Sequence, residues 1–291
     1  MWKLVQIELF KIFRKPRTYI AFAAIAAIVW LIQLGFYVDG ESYINFGMQA
    51  LSDSFDVEGR ILNGYLLGYI ILQTLLVNVP LLIALVSGDM ISGEANMGTL
   101  RLLASRPVSR TQIIVSKFLA SSIYTIALLV WMAVWTLFFS MLIFGVDDMI
   151  IMKSEVVTQI LETDIMWRYV AAFGYAMLAM VTVSALAFFL SIFAENSIGP
   201  IMATMSIIIV FTILNSLNLP VFNVVKPYLF TTHMLGWKGF FDVSVNDMNE
   251  QIVGSVENLP AVMRSAGILL VHIFLFLGAS VYVFRRKDIL S

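Results

Sequence analysis

The chain of 291 residues contains no cysteine. Disulfides and thiolate chemistry are therefore excluded, and any outer loop must hold its shape without covalent staples. Histidine is nearly absent too. Only His233 and His272 occur, too few for histidine-rich metal sites or most hydrolytic centres. Charged residues make up 13% of the chain, against about 25% in an ordinary soluble domain. The sequence has no GxxxxGK[ST] phosphate loop, no HExxH pair, no cysteine–histidine cluster and no GxSxG elbow. The chain reads as a non-enzyme with no catalytic residues, metal site or cofactor of its own, and without a nucleic-acid partner.

What fills the sequence instead is apolar. Hydrophobic residues account for 60% and the mean hydropathy is +0.91, which places the chain in the bilayer. Six charge-free runs each reach the ~20 residues that cross a membrane: about 18–38, 61–88, 118–146, 169–194, 197–219 and 265–284. The first is too long for a cleavable signal-peptide core and reads as a retained span. The fourth and fifth are separated by little more than Glu195-Asn196, with Gly199-Pro200 just beyond, which predicts a short hairpin. The fold class expected is all-α, six membrane helices in a single domain.

Charge sets the expected topology. With the N-terminus inside, twelve of the eighteen Lys and Arg residues fall on the inner side and six on the outer. Fourteen of the nineteen acidic residues fall outside. That bias predicts two cytoplasmic termini. Before the first span, residues 2–15 form an amphipathic helix. Trp2, Val5, Leu9, Ile12 and Phe13 share one face, and Lys3, Lys11, Arg14 and Lys15 the other. Such a helix suits the membrane interface, with its basic face toward anionic headgroups, although a plain positive flank orienting span 1 needs only the charges. The outer loop 219–264 begins apolar, from Phe222 to Phe241, which predicts short helices dipping into the outer leaflet or roofing the bundle. An ordinary amphipathic helix pair is the alternative. Gly64 and Gly68, and Ala23 and Ala27, are small-residue pairs at close-packing spacing.

The span interiors carry no Asp, Glu, Lys or Arg, which argues against ion-coupled transport. His272 is the one titratable group in mid-span. It is either a substrate contact or a neutral imidazole bonded to a neighbouring helix.

The most informative stretch is 88–117. Leu100, Leu103 and Ala104 fall on one face of a short amphipathic helix, with Arg101 facing away. Gly98 and Thr99 offer an N-cap, and Pro107 a stop. So short a helix needs a partner to hold it. Ser109-Arg110-Thr111-Gln112 then forms a capping box that opens the next span. Glu94 could pair with Arg101 or with a partner's basic residue.

The series Gly93-Glu94, Gly98-Thr99-Leu100, Leu103, Arg106-Pro107-Val108-Ser109-Arg110 and Lys117 resembles the cytoplasmic loop of type-2 ATP-binding-cassette (ABC) transporter permeases. The resemblance covers about thirty residues, and beyond them only the six-span layout. It implies that 88–117 is a coupling loop seated in a cleft of a separate ATPase. Glu94, Gly98, Thr99, Leu100, Arg101, Leu103, Arg106, Pro107 and Arg110 would then be the coupling residues. It also implies an N-terminal elbow helix touching the ATPase, re-entrant outer helices before the last span, and a pathway formed with a second copy or a paralogue. Two ATPase subunits would bind the ATP and magnesium. The expected function is a permease subunit of an ABC exporter. Alternatives are a permease of the same type serving metal-site assembly or a cell-envelope machine, with a periplasmic or extracellular partner, and a free-standing channel or carrier.

Overall fold

The computed structural model describes residues 1–48, 61–99, 108–152, 157–217, 219–244, 246 and 251–287. Among these, six helices are long and apolar enough to cross a membrane. Helix α1 (Trp2–Arg14) breaks at Lys15 and is followed by α2 (Pro16–Met48), α3 (Gly64–Ser87) and the short α4 (Asp89–Asn96). After the loop come α5 (Arg110–Ala133), a π turn (Val134–Phe138) and α6 (Phe139–Phe144), which together form the third span. Then follow a hairpin of β1 (Met149–Met152) and β2 (Val157–Ile160), α7 (Glu162–Ser191), α8 (Ile198–Ser216), α9 (Phe230–Met234) and α10 (Leu259–Arg286).

The helices extend beyond the charge-free runs because a backbone ladder does not stop at the first charge. α5 starts at Arg110 rather than near 118, α7 at Glu162 rather than 169, and α10 at Leu259 rather than 265. Lys117, Asp164, Arg168 and Arg264 thus lie within helices, not in the loops that the charge pattern assigned them. The capping box is present: Ser109 Oγ accepts from the Gln112 amide and Gln112 Oε1 from the Ser109 amide, each at 3.2 Å. A short β hairpin of two four-residue strands is the one local addition to the all-α fold among the described residues. Met149 and Ile160 pair across it, and both side chains are fully buried. The β-branched Ile150, Ile151, Val157, Thr158 and Ile160 suit such a strand pair, and the charges around it give the segment the look of an open loop.

α7 and α3 form the centre. Most of their faces are buried, whereas α8 buries only Pro200 and Thr204. Ile198, Met202, Ile209 and Ile213 of α8 stand more than half exposed. A helix apolar all round and open on most sides needs lipid, not water, as its solvent. Ser87 of α3, Ser121 of α5 and Ser184 of α7 bond one another at 2.7–2.9 Å, a closed hydroxyl triangle tying the three central helices. Gly64 permits a close approach: a Cβ there would fall 2.5 Å from Met141 Cα of α6. That small-residue pattern serves packing within this chain. Ala23 and Ala27 lie instead on the exposed face of α2.

At the end carrying the hairpin, the apolar stretch 222–241 divides. Phe230, Trp237 and Phe241 are buried against the bundle, where Phe241 meets the rings of Tyr69 and Tyr169. Val224 and Tyr228 remain about three-quarters exposed. The segment roofs the bundle with α9 and short 3-10 turns rather than with a long helix pair.

Candidate functional site at the loop end

α4 and α5 are the two roots of the 97–109 loop, and buried charge joins both to α1. Lys117 Nζ donates to Glu8 Oε2 at 2.8 Å and pairs with Glu94 Oε1 at 2.7 Å. Lys11 Nζ donates to Glu8 Oε1 at 2.8 Å and to Glu94 Oε1 at 2.9 Å. The four residues form a closed, charge-balanced ring. Lys117 is 1% exposed, and Glu8 and Glu94 are both buried. Such a set is tolerated in a low-dielectric site only because each charge has an opposite partner. Burial would lower the Lys11 ammonium, but the carboxylates of Glu8 and Glu94 outweigh it and hold its pKa above the ordinary value.

The ring assigns Glu94 differently from the sequence pattern. Its Oε1 bonds Lys11 and Lys117 of its own chain, and Oε2 has no partner among the described residues. Glu94 is thus not a free contact on the surface. Gly98 adopts φ +67°, a left-handed conformation that closes helices. Thr99 Oγ1 bonds the Glu94 carbonyl at 3.3 Å, and helical backbone resumes at Thr99, so Gly98 closes α4 and stands just before the next helical residue. Arg110 spans to the other end of the chain. Its Nη1 donates to the carbonyls of Arg285 at 3.0 Å and Lys287 at 2.8 Å, capping α10. Leu100, Arg101, Leu103, Arg106 and Pro107, and the short helix expected there, lie outside the described residues.

The elbow helix packs Val5, Leu9, Ile12 and Phe13 of its apolar face on the bundle, but Lys11 and Lys15 of its basic side meet carboxylates of the same chain. Glu8 meets Lys117, and the Phe13 ring meets that of Tyr124, so α1 runs along about the first four turns of α5 in the same direction. Val5, Glu8 and Ile12 form its buried face, while Trp2 and Phe10 stay outside. A cleft of about 200 Å³ beside the ring is lined by Leu4, Ile7, Val108 and Ile113, with Glu8, Lys11 and Ser116. His272 donates from Nδ1 to the Ile268 carbonyl of its own helix at 2.8 Å and stands near the Phe230 and Phe276 rings. Its bond is local, not to a neighbouring helix.

A second cluster lies next to the ring. Asp89 of α4 takes Lys15 at 2.9 Å, Arg17 and the Ser197 hydroxyl. One carboxylate thus serves two cations. Arg17 keeps its proton, so Lys15 is the group that yields: burial first, then Arg17 and Lys117, lower it to about 8. Lys15 is expected to react with an amine acylating reagent half-maximally near pH 8. Peptide mass spectrometry across pH 7–10 would read this, and a midpoint near the ordinary 10.5 would refute it. Because the native pKa lies below the unfolded one, the unfolded chain binds more protons between the two values. Stability therefore rises with pH across that window.

A protein family described as a protein of unknown function (DUF2705) matches residues 26–290. The chain belongs to that family. The DUF2705 match includes Glu94 and Lys117 and begins after Glu8 and Lys11. No curated protein matches this DUF2705 chain.

Proposed function

We propose that this DUF2705 chain is the membrane-spanning permease subunit of an ATP-driven ABC exporter, coupled through the 88–117 loop to two separate cytosolic ATPase subunits. The observation that carries the reading is the buried ring. A loop meant to move helices must be stiffly rooted, and here α4, α5 and α1 are locked together by Glu8, Lys11, Glu94 and Lys117. Force on the loop would then reach α3 through α4, and span 3 through α5, as one rigid body. The hydroxyl triangle carries the displacement on to α7. The thirty-residue resemblance supports an ABC ATPase as the partner, and the positive-inside bias supports a loop and both termini on the cytosolic side of a bacterial inner membrane, where ATP is. A second copy or a paralogue would complete the pathway along the exposed helices.

The test is affinity purification of the gently solubilised chain from its native cells, with mass spectrometry of what accompanies it. An ABC ATPase at near-equal amount is expected. Leu100→Asp or Leu103→Asp should reduce that ATPase by at least about tenfold, the effect of roughly 1.4 kcal/mol at a docked apolar contact, with membrane insertion unchanged. Equal ATPase recovery from wild type and both variants would overturn the docking role of the loop. Absence of any ATPase from the intact wild-type chain would overturn the permease reading.

A further inference from the structure

The third span is not one continuous α-helix. Between α5 and α6 the backbone takes the π turn at Val134–Phe138, a geometry that accommodates one extra residue and is found disproportionately where helices do something. A side chain from another helix holds it. Gln33 of α2, 1% exposed, donates from Nε2 to the Trp135 carbonyl at 3.1 Å and to Ser140 Oγ at 3.0 Å. A side chain inserted into the backbone ladder is one of the recognised causes of a local break.

The same place holds two unsatisfied groups. Gln33 Oε1 and Thr136 Oγ1 are buried and have no partner among the described residues. Unpaired polar atoms inside an apolar bundle are costly, so this arrangement leaves hydrogen-bonding capacity unused where it matters most. The two ends of the span are meanwhile held by different neighbours. Below the turn, Lys117 belongs to the ion ring with α1 and α4. Above it, α6 is fixed on α3, with the Gly64 amide donating to the Gly145 carbonyl at 2.8 Å. Any displacement of one end against the other must be taken up between them.

We propose that the π turn is a two-state element pinned by Gln33. When it shifts by one residue, the Trp135 carbonyl passes from the Gln33 amide to a backbone N–H. The freed amide and the Thr136 hydroxyl then find new partners, and α5 turns relative to α6. What drives the shift rests on the permease reading, but the shift itself does not.

The experiment uses the full chain alone in lipid nanodiscs, following amide hydrogen–deuterium exchange in the peptide covering 131–144. Deletion of Thr136 removes the extra residue and lets the span close as an α-helix. It is expected to slow exchange there by about tenfold, while peptides in α7 are unchanged. Gln33→Leu removes the pin and should speed exchange in the same peptide. Exchange in 131–144 that is the same in wild type and the Thr136 deletion overturns the proposal. So does a Gln33→Leu chain that exchanges like wild type. A shift in both variants, in a chain that recovers no ATPase, keeps the two-state element and discards the permease reading.

Discussion

Lys117→Met is expected to destabilise the chain by about 3–5 kcal/mol, the range seen when one partner of a buried ion set is removed. Lys117 is buried, and its ammonium lies within 2.8 Å of two carboxylates. Without it, Glu8 and Glu94 share a single cation, Lys11. The methionine fills the volume of the lost side chain, so the loss is one of charge balance rather than packing. That distinction is testable. Glu8→Gln added to Lys117→Met leaves Glu94 facing Lys11, one charge of each sign, and should restore most of the stability. Denaturation of the four chains of this double-mutant cycle in detergent micelles, followed by tryptophan fluorescence, gives the coupling. A double variant as unstable as Lys117→Met alone would mean that the ring is not what holds α1 to the loop roots.

The span count was legible because apolar length is a one-dimensional property, and the capping box at Ser109 because it is complete within four residues. The ring was not legible in the same way. Glu8 and Lys117 are 109 positions apart, and charge counting reads each as a mark of the inner side. A signal was nonetheless there. Lys117 stands on the stripe Ile113, Lys117, Ser121, Leu128, which is otherwise the buried face of α5, and Glu8 stands between Val5 and Ile12 on α1. A charge set on an apolar stripe asks for an opposite charge opposite it. Glu94, for its part, reads as a contact for Arg101, from closeness in sequence, or for a partner's basic residue, from the family resemblance. Proximity along the chain is a poor guide once a helix turns its face inward. The π turn escaped for another reason: nothing in the composition of Val134–Phe138 distinguishes it from the rest of an apolar span, and only the Gln33 side chain from another helix marks it.

Arg168→Met is expected to release the roof at the opposite end. Arg168 has no exposed surface and makes four hydrogen bonds among the described residues. Nε and Nη2 donate to Asp164 Oδ2 at 3.0 and 2.6 Å, Nη1 to the Phe240 carbonyl at 2.7 Å, and Nη2 to the Ser255 carbonyl at 2.7 Å. The guanidinium fork thus ties the first turns of α7 to two separate points of the roof. Its removal leaves Asp164 charged and buried, with Trp167, Gln251 and the Gly254 amide as its remaining donors among the described residues. It also strands two carbonyls. A loss of about 3–5 kcal/mol follows from the unpaired carboxylate alone. Adding Asp164→Asn removes that charge and should recover part of the stability, but it gives the two carbonyls no donor. The double variant should therefore be stable and still open. Because the chain has no cysteine of its own, Phe241→Cys provides a clean probe of opening. Phe241 is fully buried, so the cysteine should resist a membrane-impermeant maleimide in the otherwise native chain. It should label readily with Arg168→Met, and equally readily in the double variant. Arg168→Lys, with one compact charge in place of the fork, should restore stability better than it restores protection. Protection that follows stability across all these variants would mean that Asp164 and Arg168 only balance charge. Protection lost wherever the fork is absent would make Arg168 the tether of the roof.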